Sequence, residues 1–232
     1  MKVPEILKEL ESLGSPQNVT GMERFGITTT KAFGISAPDL KKFAKEVKKL
    51  AEDRHTLALE LWKSGIYEAR AVAFLIDDPK RVTREQMDSW ANDFDNWATV
   101  DGACGYLFCR TRLAYEKAFE WADEDKEFVK RAGFSLMAYL AVHDKKAEDE
   151  KLAVFLPVIE AHSDDDRNFV KKAVNWALRQ IGKRSQHLNG LAIESATRIR
   201  QRDSRSARWI AADALRELTG EAVQQRLRTK KR

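Results

Sequence analysis

One short stretch of the chain combines a carboxylate with an aromatic ring at a spacing that permits chemistry. Trp97 and Asp101 are four residues apart, and residues four apart lie within about 40° of each other on one helix face. A carboxylate in such a setting can stabilise an oxocarbenium-like transition state or orient a water, as in glycosidic bond cleavage. Only one obvious carboxylate is present, so ordinary sugar hydrolysis with a separate general acid is disfavoured. A base alkylated on a ring nitrogen suits one carboxylate, because this leaving group already carries positive charge.

Five predicted helices share a pattern of small and apolar residues, and four of them have a basic residue at the same position of this pattern while the fifth has an acid. From the first helix to the last, this position is occupied by Arg70, Asp101, Arg131, Lys172 and Arg208. Equivalent positions of stacked repeats form a stripe on one surface, and a stripe of cations can follow a phosphate backbone. Trp176 lies four residues after Lys172, so we expect it on the same surface. We expect Lys171 and Arg179 to contribute to the same phosphate track.

The elements that carry these residues are predicted to be helices, because strand signals are few and helical periodicity recurs along the chain. Ser36 followed by Asp39, and Thr83 followed by Gln86, are typical of helix starts. We expect residues 14–35 to be partly loop. Beyond the helices that begin near Pro4, Ser36 and Thr83, the pattern predicts helices at about 54–64, 66–77, 96–109, 113–122, 126–142, 147–162, 166–182, 186–200 and 205–219.

The spacing of these helices predicts the architecture. Second helices of successive pairs begin near residues 66, 96, 126, 166 and 205, which is the period of helical-hairpin solenoids. We therefore expect an all-α solenoid of HEAT-like repeats with a concave basic groove, as a single domain over residues 1–232. Within it, residues 1–35 are expected to form an N-terminal helix and loop, and residues 221–232 a basic tail. Four tryptophans are expected in the core or the seams between helices: Trp62, Trp90, Trp121 and Trp209.

Composition narrows the class of protein. The 232 residues have a net charge of +5, but residues 167–232 hold 17 Lys and Arg against 5 Asp and Glu, which favours an anionic partner such as nucleic acid. Two cysteines five residues apart, Cys104 and Cys109, do not make a disulfide scaffold, so a reducing, cytoplasmic location is the default. We expect no membrane span, no metal site and no cofactor, because no long apolar run, ligand spacing or glycine-rich loop occurs.

Several stretches of the chain resemble a known family. They are FGISAPDLKKFAKEV (33–47), DNWATVDGAC (95–104), KRAGFSLMAYL (130–140), FVKKAVNWALRQIGK (169–183) and RWIAADALREL (208–218). In these stretches, which lie within residues 22–220, the sequence resembles the DNA alkylation repair family, the AlkD-like DNA glycosylases built from HEAT-like repeats.

The resemblance implies excision of cationic N3- and N7-alkylpurines from double-stranded DNA by a monomeric, monofunctional enzyme. It implies that Asp101 acts near the anomeric carbon, that Trp97 and Trp176 flank the sugar of the damaged nucleotide, and that Arg131 holds a phosphate. The family often has two adjacent aromatic residues about two turns before the second tryptophan. This sequence has Asn168 and Phe169 there, so one aromatic contact is missing or shifted.

Two other functions remain open at this point. A catalytically inactive protein that binds DNA structures on the same fold would keep the cations, but it would not need Asp101 or the tryptophans. A HEAT-repeat scaffold for protein partners would have an apolar or acid-matched concave face, and its binding would be insensitive to salt.

Overall fold

The computed structural model describes residues 1–28 and 31–229, and within these residues the regular secondary structure is helical with no strand. The chain divides into two compact units, Met1–Arg112 and Leu113–Arg232. The first unit contains α1 (Val3–Ser12), α2 (Pro16–Arg24), α3 (Ala37–Leu50), α4 (Arg54–Lys63), α5 (Tyr67–Ile76), α6 (Arg84–Asn92), α7 (Trp97–Tyr106) and a 3₁₀ helix (Phe108–Arg110).

The second unit is also helical over the residues that the structure describes. It contains α8 (Ala114–Ala122), α9 (Glu127–His143), α10 (Asp149–Ala153), α11 (Phe155–Ala161), α12 (Asn168–Gly182), α13 (Gln186–Arg200), α14 (Arg205–Leu218) and α15 (Glu221–Thr229). In each unit, helices that are neighbours in sequence pack as pairs, α4 on α5 and α8 on α9, and α9, α12 and α14 pack in succession.

Polar side chains at the helix starts explain where several helices begin. The Ser36 hydroxyl accepts a hydrogen bond from the Asp39 amide at 3.3 Å, and Thr83 accepts one from the Gln86 amide at 3.2 Å. Such caps satisfy backbone amides that have no partner within the helix. Both starts that the sequence predicts are therefore confirmed. α7 begins in the same way, because the Asn96 side chain accepts from the Thr99 amide at 2.9 Å.

The first unit is organised around α5, which packs against α3, α4 and α7. Glu68 on α5 is fully buried, and its carboxylate accepts hydrogen bonds from the amides of Phe33, Gly34 and Ile35 at 2.9, 2.7 and 3.3 Å. These charge-assisted bonds tie the segment before α3 to α5. Gly102 lets α7 approach the Phe74 ring of α5, because a β-carbon at position 102 would overlap the Cζ atom of that ring and lie 2.9 Å from both of its Cε atoms.

In the second unit, α8 and α9 approach each other closely at Gly133. A β-carbon at Gly133 would lie 2.5 Å from the Ala122 nitrogen and 2.9 Å from the Trp121 carbonyl carbon. Only glycine permits the two backbones to come this close. The residues around this contact are apolar and buried, among them Trp121, Phe134 and Leu136.

Several segments differ from the sequence-based expectations. The single helix expected at 147–162 is divided at Val154 into α10 and α11. Pro157 explains the break, because it has no amide hydrogen to donate to the carbonyl of residue 153. The helix expected at 96–109 ends at Tyr106 and continues as a 3₁₀ turn. Of the basic tail expected at 221–232, residues 221–229 form α15, and residues 230–232 lie outside the described part of the chain.

Candidate nucleic-acid-binding site

Trp97 and Asp101 occupy the first two turns of α7, in the first unit. Both residues are half-buried, and Asp101 follows Trp97 by four residues, so the two side chains share one face of the helix as predicted. Val100, Ala103 and Cys104 of the same helix are fully buried in the core. Their packing fixes the rotation of α7, which leaves the indole and the carboxylate partly exposed.

The orientation of the Trp97 ring is determined by a hydrogen bond that it donates to a segment distant in sequence. Its Nε1–H donates to the carbonyl oxygen of Phe25 at 2.9 Å, and Phe25 lies just after the end of α2 with its own side chain 73% exposed. An indole whose nitrogen is anchored presents its face in one orientation. The sequence gives no signal for this partner, because 72 residues separate the two groups.

Arg70, the first residue of the predicted cationic column, is engaged within the first unit. Its guanidinium donates to the Asp93 carbonyl oxygen at 3.1 Å, lies 3.7 Å from the Asp93 carboxylate and 3.9 Å from that of Asp95, and stacks over the Trp62 ring. The side chain is only 13% exposed. These contacts give Arg70 a structural role, and its contact with a phosphate stays a prediction.

In the second unit, Arg131 is a buried residue on α9, with 6% of its surface exposed. Its guanidinium donates to the carbonyl oxygen of Phe169 in the first turn of α12 at 2.8 Å. A buried guanidinium positioned by backbone groups is rigid, but most of its surface is covered by protein. Its contact with a phosphate stays a prediction.

Trp176 lies on α12 and is half-buried. The Tyr139 ring of α9 meets it edge to face, with centroids 4.9 Å apart and planes at 83°. Such T-shaped pairs stabilise the contact and hold both rings in place. Near the start of α12, Phe169 packs on Phe128 at 5.5 Å, so this aromatic contact is present while its neighbour Asn168 is exposed.

The remaining predicted cations fall into two groups. Lys172 and Arg208 are exposed, whereas Arg179 pairs with acids of α14. Its Nη1 donates to the Glu217 carboxylate, and its Nε lies 3.6 Å from a carboxylate oxygen of Asp213. Arg179 is therefore neutralised within the second unit, which weakens its assignment to a phosphate track.

The carboxyl of Glu217 shows the electrostatic consequence of this pairing. Burial acts to raise its pKa, but hydrogen bonds from Lys183 and Arg179 outweigh burial and lower the pKa below the usual value for glutamate. The Lys183 ammonium is 2.5 Å from the same carboxylate. This end of the α12–α14 contact is thus an internal ion cluster, held charged at neutral pH.

The expectation that Trp209 belongs to the core or to a seam between helices is wrong. It lies in the first turns of α14 with 42% of its surface exposed, whereas Trp62, Trp90 and Trp121 are buried as predicted. The Lys171 ammonium lies over its ring, 5.3 Å from the centroid. The helical period carries a signal for this exposure, because Ala207, Ile210, Ala211 and Ala214 are buried on one face of α14 and Trp209 lies about 100–160° around the helix from each of them.

The part of the chain that the structure describes has neither a cluster of metal-ligating side chains nor a helix that could span a membrane. Residues 1–28 and 31–229 contain no group of three or more His, Cys, Asp or Glu side chains arranged to hold a metal ion. Within the same residues, no helix combines the length and the apolar character that crossing a membrane requires.

Comparisons with known proteins agree with this architecture. The profile of the family described as DNA alkylation repair enzyme matches residues 6–218. An uncharacterized protein of Listeria innocua is 22% identical over 193 residues, covering 82% of this chain and 83% of the relative. An uncharacterized protein of Listeria monocytogenes is 24% identical over 130 residues, covering 55% of this chain and 57% of the relative.

A solved structure matches 98% of this chain and 96% of its own, with a TM-score of 0.77 and 20% identity. That protein is described as one of a new family related to the HEAT-like repeat DNA glycosylases with affinity for branched DNA structures. The likeness confirms the prediction of an all-α HEAT-like repeat fold. Because the family profile covers most of the chain, the protein belongs to the DNA alkylation repair enzyme family.

Proposed function

We propose that this protein is a DNA glycosylase that excises positively charged N3- and N7-alkylated purines from double-stranded DNA. The observation that carries the proposal is the pair on α7: the Asp101 carboxylate lies one helical turn beyond an indole that is anchored through its nitrogen. Membership of the DNA alkylation repair enzyme family supports the substrate class.

The proposed chemistry needs only one carboxylate. A purine alkylated at N3 or N7 is a cationic leaving group, so its glycosidic bond breaks without a general acid. Asp101 stabilises the positive charge that develops on the deoxyribose, or positions the attacking water. Trp97 packs against the sugar beside it. Half-burial of both residues leaves a face open to a DNA strand while it lowers the local dielectric.

Residues of the second unit are proposed to bind the same DNA. Trp176 is held by the Tyr139 ring and offers a second aromatic contact to the damaged nucleotide. In this proposal Arg131, which is held by the Phe169 carbonyl, directs its positive charge at a phosphate, and the exposed Lys172 and Arg208 add cations. We further propose that the DNA lies in a concave basic groove and that the enzyme acts as a monomer.

The test is single-turnover release of 7-methylguanine from a methylated duplex by wild type and Asp101→Asn. We expect the variant to lose about a hundredfold or more in rate, because a carboxylate that acts on the transition state contributes on this scale. DNA affinity should stay the same or rise slightly, since a negative charge near the backbone is removed. A matched control is Glu46→Gln, an exposed carboxylate on α3 in the same unit.

The outcomes separate the functions that the sequence leaves open. Absence of release by wild type, together with salt-sensitive DNA binding, would exclude the glycosylase and leave an inactive DNA binder. Absence of both release and binding would favour a scaffold for protein partners. Equal rates for wild type and Asp101→Asn would assign the catalysis to another group.

A second candidate function is binding of branched DNA without base excision. The structural likeness to a protein described as having affinity for branched DNA structures favours it. Comparing the affinity for a four-way junction with that for a linear duplex of equal length tests it. Stronger binding to the junction without any release of methylated base would support this second function.

A further inference from the structure

A regular series of contacts joins α12 and α14 in the second unit. Each contact lies four residues, about one helical turn, after the previous one. From the start of both helices toward their ends, the contacts are Lys171 with Trp209, Asn175 with Asp213, and Arg179 with Glu217. The series shows that the two helices run side by side in register, so their first turns lie at the same end of this face.

The two ends of this face differ in how their basic side chains are paired. Toward the helix ends, Arg179 and Lys183 both pair with the Glu217 carboxylate, and Arg179 also lies near Asp213. At the helix starts, Lys171 contacts an aromatic ring instead of an acid, and Arg205, like Lys172, is exposed.

Two further features add positive charge at the helix starts. The N-termini of α12 and α14 contribute the positive ends of their dipoles. Arg208 pairs with Asp203 at 3.1 Å, but both side chains are more than half exposed, and exposed ion pairs are weak. A polyanion can therefore displace Asp203 from Arg208 at little cost.

Trp209 stands within this cationic surface. The ring has 42% of its surface exposed, and the Lys171 ammonium lies over it. The remaining indole surface is flat and apolar in a setting of charged side chains. An aromatic platform among cations is the arrangement by which proteins bind single-stranded nucleic acid, with bases on the rings and phosphates on the cations.

We propose that Trp209 and Lys171, with Lys172, Arg205 and Arg208 around them, bind an unpaired nucleotide of a DNA strand at a duplex end, gap or branch. The unpaired state is required because both faces of a base within a continuous duplex are covered by its neighbours. The inference rests on the proposed binding of DNA, but it is independent of base excision and of the residues on α7.

The experiment measures affinity for undamaged DNA by the fluorescence anisotropy of a labelled strand. One probe is a blunt duplex, and the other is the same duplex with a single-stranded tail of about five nucleotides. We expect Trp209→Ala to bind the tailed probe roughly tenfold more weakly than wild type, since stacking of one base on an aromatic ring contributes on this scale. The blunt duplex should be bound equally by both.

Two further variants make the result specific. Trp209→Phe should retain most of the affinity for the tail, because it keeps an aromatic face. Phe119→Ala removes an aromatic residue of similar exposure, 37%, on α8 of the same unit, and should bind both probes as wild type does. Thermal unfolding followed by circular dichroism checks that each variant is folded.

A base analogue in the tail reports stacking directly. We expect 2-aminopurine fluorescence in the tail to be quenched by wild type and to stay bright with Trp209→Ala. Equal affinity of wild type and Trp209→Ala for the tailed probe would overturn the proposal, and so would an equal loss on the tailed and blunt probes. Base release from a methylated blunt duplex is scored separately, so failure of the glycosylase function and failure of this site give different results.

Discussion

The close approach of α8 and α9 predicts that a single methyl group at Gly133 will destabilise the second unit. In Gly133→Ala, the added β-carbon would lie 2.5 Å from the Ala122 nitrogen and 2.9 Å from both its α-carbon and the Trp121 carbonyl carbon. These are backbone atoms, which cannot rotate away as the end of a side chain can. The two helices must separate, or the backbone must distort.

Two opposing effects determine how much Gly133→Ala changes the free energy of unfolding. Alanine is favoured over glycine inside a helix by about 1 kcal/mol. A contact about 1 Å shorter than van der Waals distance, against backbone, falls at the upper end of overpacking costs, about 3 kcal/mol. The expected net loss is about 2 kcal/mol of unfolding free energy. Gly190→Ala on α13 is the matched control, because a β-carbon there meets nothing within 4 Å, and it should gain about 0.5–1 kcal/mol.

Urea unfolding followed by far-ultraviolet circular dichroism measures both variants. A loss of 2 kcal/mol lowers the midpoint by about 1 M urea for a typical slope, while the control shifts the midpoint upward. The reasoning is refuted if Gly133→Ala is as stable as wild type while Gly190→Ala is stabilised. That result would mean that the backbones of α8 and α9 lie farther apart at Gly133.

Two further predictions concern carboxylates that accept hydrogen bonds within the fold, the buried Glu68 and the partly buried Glu217. Glu68→Gln should lower the unfolding free energy by about 1–3 kcal/mol in urea titrations, because the new amide group faces buried backbone N–H donors; unchanged stability would contradict this. Glu217 has a pKa lowered in the folded state: burial opposes the shift, and bonds from Lys183 and Arg179 cause it. Its charge therefore stabilises the fold above the ordinary pKa of 4.5 and ceases to do so as the pH falls through the lowered value. Glu217→Gln should thus reduce the melting temperature at pH 7, and the difference from wild type should shrink steadily below pH 4.5; a constant difference would refute the assignment.

Most of the fold could be predicted from the sequence, because local signals govern helix formation. Ser36 and Thr83 act as caps through atoms only three residues away, and the apolar period of 3.6 residues identifies the buried face of each helix. The segment 147–162 departs from its expected single helix for a reason that is also local. Pro157 divides the helix expected at 147–162, although the missing amide is visible in the sequence.

The α7 pair could also be predicted, since the spacing of Trp97 and Asp101 determines a shared helix face. Which basic side chains are paired within the fold, and which face solvent, could not be predicted. Arg70, Arg131 and Arg179 look alike in sequence as members of a basic series, yet each is engaged by groups 23 to 38 residues away. A charge count cannot separate a cation that faces solvent from one that is paired within the fold.

The sequence by itself determined the helices, their period, the family and the pairing of indole and carboxylate on α7, because these depend on residues within a few turns of each other. Only the tertiary structure decided which aromatic and basic side chains are available to a ligand. The Lys171 ammonium lies over the Trp209 ring across the α12–α14 contact, and the Trp97 ring is anchored by Phe25 from 72 residues away. Burial and long-range hydrogen bonds depend on which helices pack together, and that information is distributed over the whole chain.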